Sequence, residues 1–362
     1  MHVGASVIFQ NPGRERSDLE VYQADLKLAD QFEGLGFESV WGVEHHFTDY
    51  TMCPDVYQFL TYMAGRSESM QLGSMVLVLP WHDPMRAAEE VSMLDNISNG
   101  RVILGLGRGA GKVEFDGFRL DMGESRERFV EAAEMVLAGL EQGYCEYEGR
   151  FYQQPRKDIR PAPFKSFRNR TYAAAVSPES SRIMARLGIG ILIIPQKPWE
   201  AVEKELNDYR TIYREENGTE APPPISAGWT FCHEDEEVAY QMARRYIGGY
   251  WGTVLDHYQF GGDHLKDMKG YEYYGKFAET IQRHGADETI DFFMNLQVWG
   301  TPEQCYQKIV DVSDLTGADS FVGVFSYAGM DYETADANLN LFAREVMPEL
   351  KKLPTAASRA AA

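Results

Sequence analysis

The sequence predicts a single (β/α)8 barrel, with functional groups gathered where its parallel strands end. Two observations carry that prediction. Short apolar, β-branched runs alternate eight times with longer amphipathic stretches, and composition does not break along the 362 residues. The ends of several runs also carry His, Arg, Ser and Gly, the residue types that barrel loops use for chemistry. A six-stranded doubly wound sheet with a second domain is the alternative arrangement of the same alternation.

The elements follow in order. Val3–Phe9 is predicted as the first strand and Leu19–Glu33 as its helix, closed by Gly34 and Gly36. Phe37–Val43 is the second strand, followed by a helix over Asp55–Ser67. Leu72–Leu79 is the third, and Pro84 suits the first turn of the next helix. Arg101–Leu106 is the fourth, followed by a helix over Ser125–Leu140 and a small hairpin over Tyr144–Tyr152 that turns at Glu148-Gly149. Thr171–Ala175 and Ile189–Ile194 are the fifth and sixth, backed by helices over Pro178–Leu187 and Trp199–Glu215. Ile225–Cys232 is the seventh, with Asp235–Tyr246 helical. A helix over Thr301–Leu315 leads into the eighth strand, Ser320–Phe325, and the last helix covers Tyr332–Leu350. The stretch from Tyr250 to Ile290 is rich in Gly, Tyr and His and has weak periodicity, so it reads as a long loop, functional or mobile. One domain is expected over 1–353, and the Ala-rich 354–362 tail is expected to be disordered.

Composition excludes several classes of function. A formal charge of −20 disfavours a nucleic-acid partner, which needs clustered Lys and Arg. No run of 18 apolar residues occurs, so no membrane span is expected. The N-terminus lacks a signal-peptide pattern, and Cys53, Cys145, Cys232 and Cys305 form no Cys-x-x-Cys pair; a cytoplasmic protein with reduced thiols is expected.

Three strand ends carry candidate chemistry. The first is Trp41-Gly42-Val43-Glu44-His45-His46-Phe47. Adjacent histidines leaving a strand point to opposite faces, and no third ligand follows at recognisable spacing, so no metal site is expected. His45 at a barrel strand end suits either a catalytic or a structural role. The second is Gly105-Leu106-Gly107-Arg108-Gly109-Ala110-Gly111. It nearly matches a dinucleotide fingerprint, but the charged stretch Lys112–Asp121, punctuated by Gly117, does not continue as an apolar-periodic helix. It reads either as a plain turn or as a Gly-rich loop that lets a ligand approach, with Arg108 as its cation. The third is Val176-Ser177-Pro178-Glu179-Ser180. Ser177 is an N-cap and Pro178 a first helical residue, so a helix N-terminus faces the predicted rim and could take a phosphate. Glu179 would have to point away. Aromatics at predicted loop mouths (Phe9, Phe47, Trp81, Trp229, Trp299 and the pair Tyr250-Trp251) suit a flat apolar ligand as well as core packing.

Together these segments resemble the alkanal monooxygenase (bacterial luciferase) family, from Val3 to about Leu350. The most specific pieces are Trp41 to Thr48, Leu94-Asp95-Asn96-Ile97-Ser98-Asn99-Gly100-Arg101, Gly107-Arg108-Gly109 and Gly300-Thr301-Pro302-Glu303-Gln304-Cys305. The resemblance implies reduced FMN and O2 acting on an apolar carbonyl compound, by aldehyde oxidation or Baeyer–Villiger insertion. It places His45 on the catalytic histidine, with Glu44 orienting it, and Arg108 on the FMN phosphate. Val176, Ser177 and Ser180 fall on the phosphate-binding turn, and Met75-Val76 on a cis non-prolyl peptide beneath the flavin ring. It further implies a separate flavin reductase and a homodimer paired through the helices at Asp55–Ser67 and Pro84–Ser98. Where luciferases carry a reactive cysteine and a nearby tyrosine, this chain has Gly107 and Gly111, and its 250–290 segment differs from the luciferase lid; a bulkier ketone or aldehyde is therefore expected. Members of the wider superfamily that transfer hydride with a deazaflavin, or that bind flavin without catalysis, are the alternatives.

Overall fold

The computed structural model describes the whole chain except residues 176, 261, 263, 264, 266, 267, 270 and 356–362. Eight parallel strands close into the expected barrel: β1 (His2–Val7), β2 (Ser39–Gly42), β3 (Gln71–Ser74), β4 (Val102–Gly107), β5 (Thr171–Ala174), β6 (Gly190–Ile193), β7 (Ile225–Cys232) and β8 (Ser320–Val324). Each pairs with its neighbour in sequence order, and β8 returns to β1 through Val3↔Phe321 and Ala5↔Gly323. Strands covered on both faces read as unbroken apolar runs, and every residue of β4 and β7 is buried.

The barrel interior is filled by Trp41, Ile103, Leu192, Ile225, Ala227 and Val322. The Trp41 ring fits only because Gly73 has no side chain, since a Cβ there would lie 2.2 Å from the indole. The Leu94–Arg101 run is structural. Arg170 donates to both carboxylate oxygens of buried Asp95 at 2.6 and 2.8 Å, and Arg101 donates to the carbonyls of Ala64, Met70 and Ser98.

Helices surround the barrel, several of them started by a side-chain cap at Ser17, Asp55, Asp83, Ser177, Asp235, Thr301 or Asp331. They are α1 (Asp18–Ala29), with a Ser17/Glu20 capping box, α2 (Val56–Ala64), α3 (Pro84–Ile97), α4 (Lys112–Phe118), α5 (Ser125–Gln142), α6 (Pro178–Arg186, capped by Ser177) and α7 (Trp199–Asn217). There follow α8 (Glu236–His257), α9 (Glu272–His284), α10 (Ala286–Asn295), α11 (Pro302–Thr316) and α12 (Tyr332–Leu341). No helix among the described residues is long and apolar enough to cross a membrane.

Four expectations are corrected. The third strand breaks at the Met75–Val76 peptide, which is cis, and pairing with β4 resumes at Leu77. The charged stretch after Gly111 is the helix α4, which buries Glu114 and Phe115. The stretch from Tyr250 onward is largely helical: α8 runs on to His257 because Tyr250, Trp251, Val254 and His257 share one buried face. Val298–Gly300 forms an extra short strand beside β7. The expected tail disorder falls, from residue 356, outside the described residues.

Candidate active site

A cavity of about 660 Å³ opens at the C-terminal ends of the strands, within the range of sites that hold small ligands. All eight strands or the turns after them line it: Ile8 after β1, His45 after β2, Val76 after β3, Arg108 after β4, Ser177 after β5, Ile194 after β6, Trp229 on β7 and Val324 ending β8. Of the residues singled out from sequence, Glu44, Met75, Gly107, Ser180, Trp81, Tyr250 and Trp251 also line it. Phe9, Phe47 and Trp299 do not. Phe47 turns outward at φ 65° and is 59 % exposed against Phe118, whereas Trp299 sits on the extra strand with its indole donating to the Met294 carbonyl. Val176 lies outside the described residues.

The end of β2 holds two separate histidine–carboxylate pairs. Glu44 does not orient His45. Its buried carboxylate accepts from His46 Nε2 at 3.1 Å, His82 Nε2 at 2.7 Å and the Val78 amide at 2.7 Å. Burial would push this carboxyl up, but the hydrogen bonds from His46, His82 and Val78 outweigh it and hold it below the usual value. The physical reason is alternation. Residues 44 and 46 leave the strand on one side and 45 on the other, so Glu44 meets His46. The His46 ring then packs edge-on against Trp81 and Phe118, away from His45.

The carboxylate that does meet His45 is Glu114, which the sequence reading missed. His45 Nδ1 lies 2.9 Å from Glu114 Oε1, and the His46 amide donates to the same oxygen at 2.9 Å. Glu114 Oε2 faces His257 Nε2 at 3.4 Å, an electrostatic neighbour rather than a formed hydrogen bond. His257 Nδ1 is in turn 2.9 Å from the Thr48 hydroxyl. Burial alone would raise Glu114; the nearby His45 and His257 imidazoles outweigh it and bring the carboxyl to about 2. Burial pulls His257 below its ordinary value, and Glu114 opposes that only in part. This packing depends on Gly111, because a Cβ there would lie 2.3 Å from Glu114 Oε2 and 2.9 Å from His257 Nε2. Ligand atoms of His45, Glu114 and His257 come within 4.8 Å of one another, as a metal site would require. One nitrogen of each imidazole already faces a protein oxygen, so the cluster works first as a hydrogen-bonded network.

Opposite charge chemistry gathers past β4 and β5. The Arg108 guanidinium lies 4.0 Å over the Tyr271 ring, and the Tyr271 hydroxyl donates to the Gly109 carbonyl at 2.8 Å. Ser177 accepts from the Ser180 amide at 3.2 Å, and the two hydroxyls are 2.9 Å apart at the N-terminus of α6. Glu179 does not point away. It lines the cavity and is held by Arg126 at 2.5 Å, so its charge is answered locally. Arg182 lines the cavity as well. Arg126 was not foreseen, because one Arg in the Glu-rich start of α5 looks like surface charge. Two serine hydroxyls, a helix N-terminus, Arg108 and Arg182 form a donor set that could hold a phosphate, with Arg126 already paired to Glu179.

These features define a (β/α)8 barrel whose strand ends carry a histidine–carboxylate network and, beside it, a cluster of serine hydroxyls and arginines. The chain belongs to the luciferase-like monooxygenase family, whose model matches residues 1–319. It is 26 % identical to the alkanal monooxygenase alpha chain of Photorhabdus luminescens over 344 residues, covering 93 % of this chain and 94 % of the relative. Two solved structures share the fold. The FMN complex of the oxygenating constituent of 3,6-diketocamphane monooxygenase from Pseudomonas putida, a type II Baeyer–Villiger monooxygenase, is 18 % identical with TM-score 0.74, over 98 % of this chain and 100 % of that one. The coenzyme F420-dependent tetrahydromethanopterin reductase of Methanopyrus kandleri is 21 % identical with TM-score 0.65, over 97 % and 100 %.

The depressed Glu114 carboxyl has a measurable consequence. A carboxyl held below its unfolded value contributes stability above pH 4.5 that is lost as pH falls towards about 2. Urea unfolding across that window should show the native chain losing more stability than Glu114→Gln. Parallel losses in the two proteins would mean that Glu114 is not held as described.

Proposed function

We propose that this protein is a flavin-dependent monooxygenase that uses reduced FMN and O2 to oxidise an apolar carbonyl compound, by aldehyde oxidation or Baeyer–Villiger insertion. The observation that carries the reading is the polarity of one cavity. Arg108, Ser177 and Ser180 offer anion donors on one side, His45 is poised against Glu114 on another, and Ile8, Val76, Ile194 and Val324 supply apolar walls between them. That donor set suits a flat, largely apolar cofactor carrying one phosphate. Reduced flavin, when bound, would supply the electrons that activate O2.

The chain's residues would do the rest. Arg108, Ser177 and Ser180 would hold the phosphate, and Met75-Val76 and Gly107 would form the wall beneath the ring. The hydrogen bond from His45 Nδ1 to Glu114 fixes the imidazole and leaves Nε2 to hold or release a proton at the substrate. Trp81, Tyr250 and Trp251 would exclude water. A separate flavin reductase would supply reduced FMN, since the Gly105–Gly111 loop is taken by this site. Deazaflavin-dependent hydride transfer is the second reading, favoured by the shared fold of the F420-dependent reductase.

His45→Ala should keep reduced FMN affinity within about threefold yet lower turnover of a carbonyl substrate by at least about 10²-fold, the usual contribution of a general acid–base group. His46→Ala, whose ring is packed on Trp81 and Phe118, should lose stability more than turnover. Normal turnover in His45→Ala with a dead but folded His46→Ala would invert these roles.

We also propose a homodimer paired through α2 and α3, which leave Tyr62, Met93 and Ile97 exposed on the single chain. Light scattering should give twice 41.0 kDa, and a monomer mass at micromolar concentration would refute it.

A further inference from the structure

The rim past β4, β5 and β6 carries carboxylates as well as cations. Arg108, Arg126, Glu179, Arg182 and Glu205 all line the cavity, from the turn after β4 and from α5, α6 and α7. Two pairs are already made. Arg126 holds Glu179 at 2.5 Å, and Lys197, buried in the turn after β6, holds Glu205. Arg108 and Arg182 belong to the donor set described above. Two guanidinium charges match one phosphomonoester, which carries about −1.5 to −2 at neutral pH.

The carboxylates stand where a longer ligand would have to pass. Glu179 is the second residue of α6, between Ser177 and Ser180, and its side chain is 60 % exposed at the mouth. A glutamate in the first turn suits the helix dipole, but it also sets a negative charge beside the place where a phosphate would dock. Glu205 follows past β6, and Glu272 at the start of α9 adds a third carboxylate to the lining. A ligand that ended at its phosphate would stop among the donors. One that continued beyond it as an anion would leave the cavity past these glutamates, and each close like-charge approach in water weakens binding by about fivefold.

We propose that Glu179, backed by Glu205, is a specificity-determining residue for the cofactor. It admits a flavin that ends at its 5′-phosphate and rejects one whose phosphate continues into a polyanionic tail. Coenzyme F420, a deazaflavin with an oligoglutamate tail, is of the second kind. The proposal rests on the reading that this rim holds the cofactor's phosphate. It concerns the tail and not the ring.

Fluorescence titration of the full-length protein tests it with riboflavin, FMN, coenzyme F420 and the same deazaflavin cut back to its 5′-phosphate. In the native chain the trimmed deazaflavin should bind at least about tenfold tighter than the intact coenzyme at low salt, because several like charges meet. Sodium chloride at about 0.5 M should close most of that gap, since exposed charges are screened. Glu179→Gln should narrow the ratio of the two affinities by at least about threefold, and Glu179→Asp should preserve it. Binding of the trimmed probe reports that each variant is folded.

Equal affinity for the trimmed and intact deazaflavins in the native chain overturns the proposal. So does a ratio that neither salt nor Glu179→Gln alters, because walls rather than charge would then exclude the tail. A trimmed probe that fails to bind where FMN binds overturns it too, since the ring would then decide. Riboflavin binding as tightly as FMN would remove the phosphate reading itself, and the proposal with it.

Discussion

The site depends on one buried negative charge. Glu114 is removed from water, and a carboxylate in that position persists only if charge and hydrogen bonds answer it. His45, the His46 amide and His257 do so, and they come from the loop after β2 and from the far end of α8. Meeting that one requirement pins three distant stretches of chain to each other. It also explains Gly111, where any side chain would drive Glu114 and His257 apart.

Around that anchor the cavity is graded in chemistry. Donors for an anion sit past β4 and β5, apolar walls occupy the middle, and aromatic rings fill the side of β7. The insertion after β7 closes the arrangement: Tyr271 reaches back to the Gly109 carbonyl and to Ser125, and its ring carries Arg108. Arg108 is thus positioned by a ring far from it in sequence.

The barrel was legible because its signals are local. β7 is eight buried residues between polar turns, and Ser17, Asp55, Ser177 and Thr301 are side-chain caps visible in the sequence. The site was legible in part. Strand ends led to His45, Arg108 and Ser177, all of which line the cavity. Glu114 was hidden because α4 spans seven residues, too few for periodicity to show, and its buried face looks like charged surface. His257 was hidden by glycines at 248, 249 and 252, which broke the apolar pattern of α8. Glu44 was misassigned although the signal was present, since residues two apart share a side of an extended chain and adjacent ones do not.

The central claim is that the rim past β4 and β5 holds the phosphate of reduced FMN. Anaerobic titration with reduced FMN, reduced riboflavin and a reduced deazaflavin tests it most directly, in the native chain and in Arg108→Ala. FMN should bind at least about tenfold tighter than riboflavin, because a hydrogen bond to a charged group contributes roughly 1.5–3 kcal/mol, and Arg108→Ala should close most of that gap. Equal affinity for FMN and riboflavin in the native chain, or tight binding of the deazaflavin alone, would contradict the account.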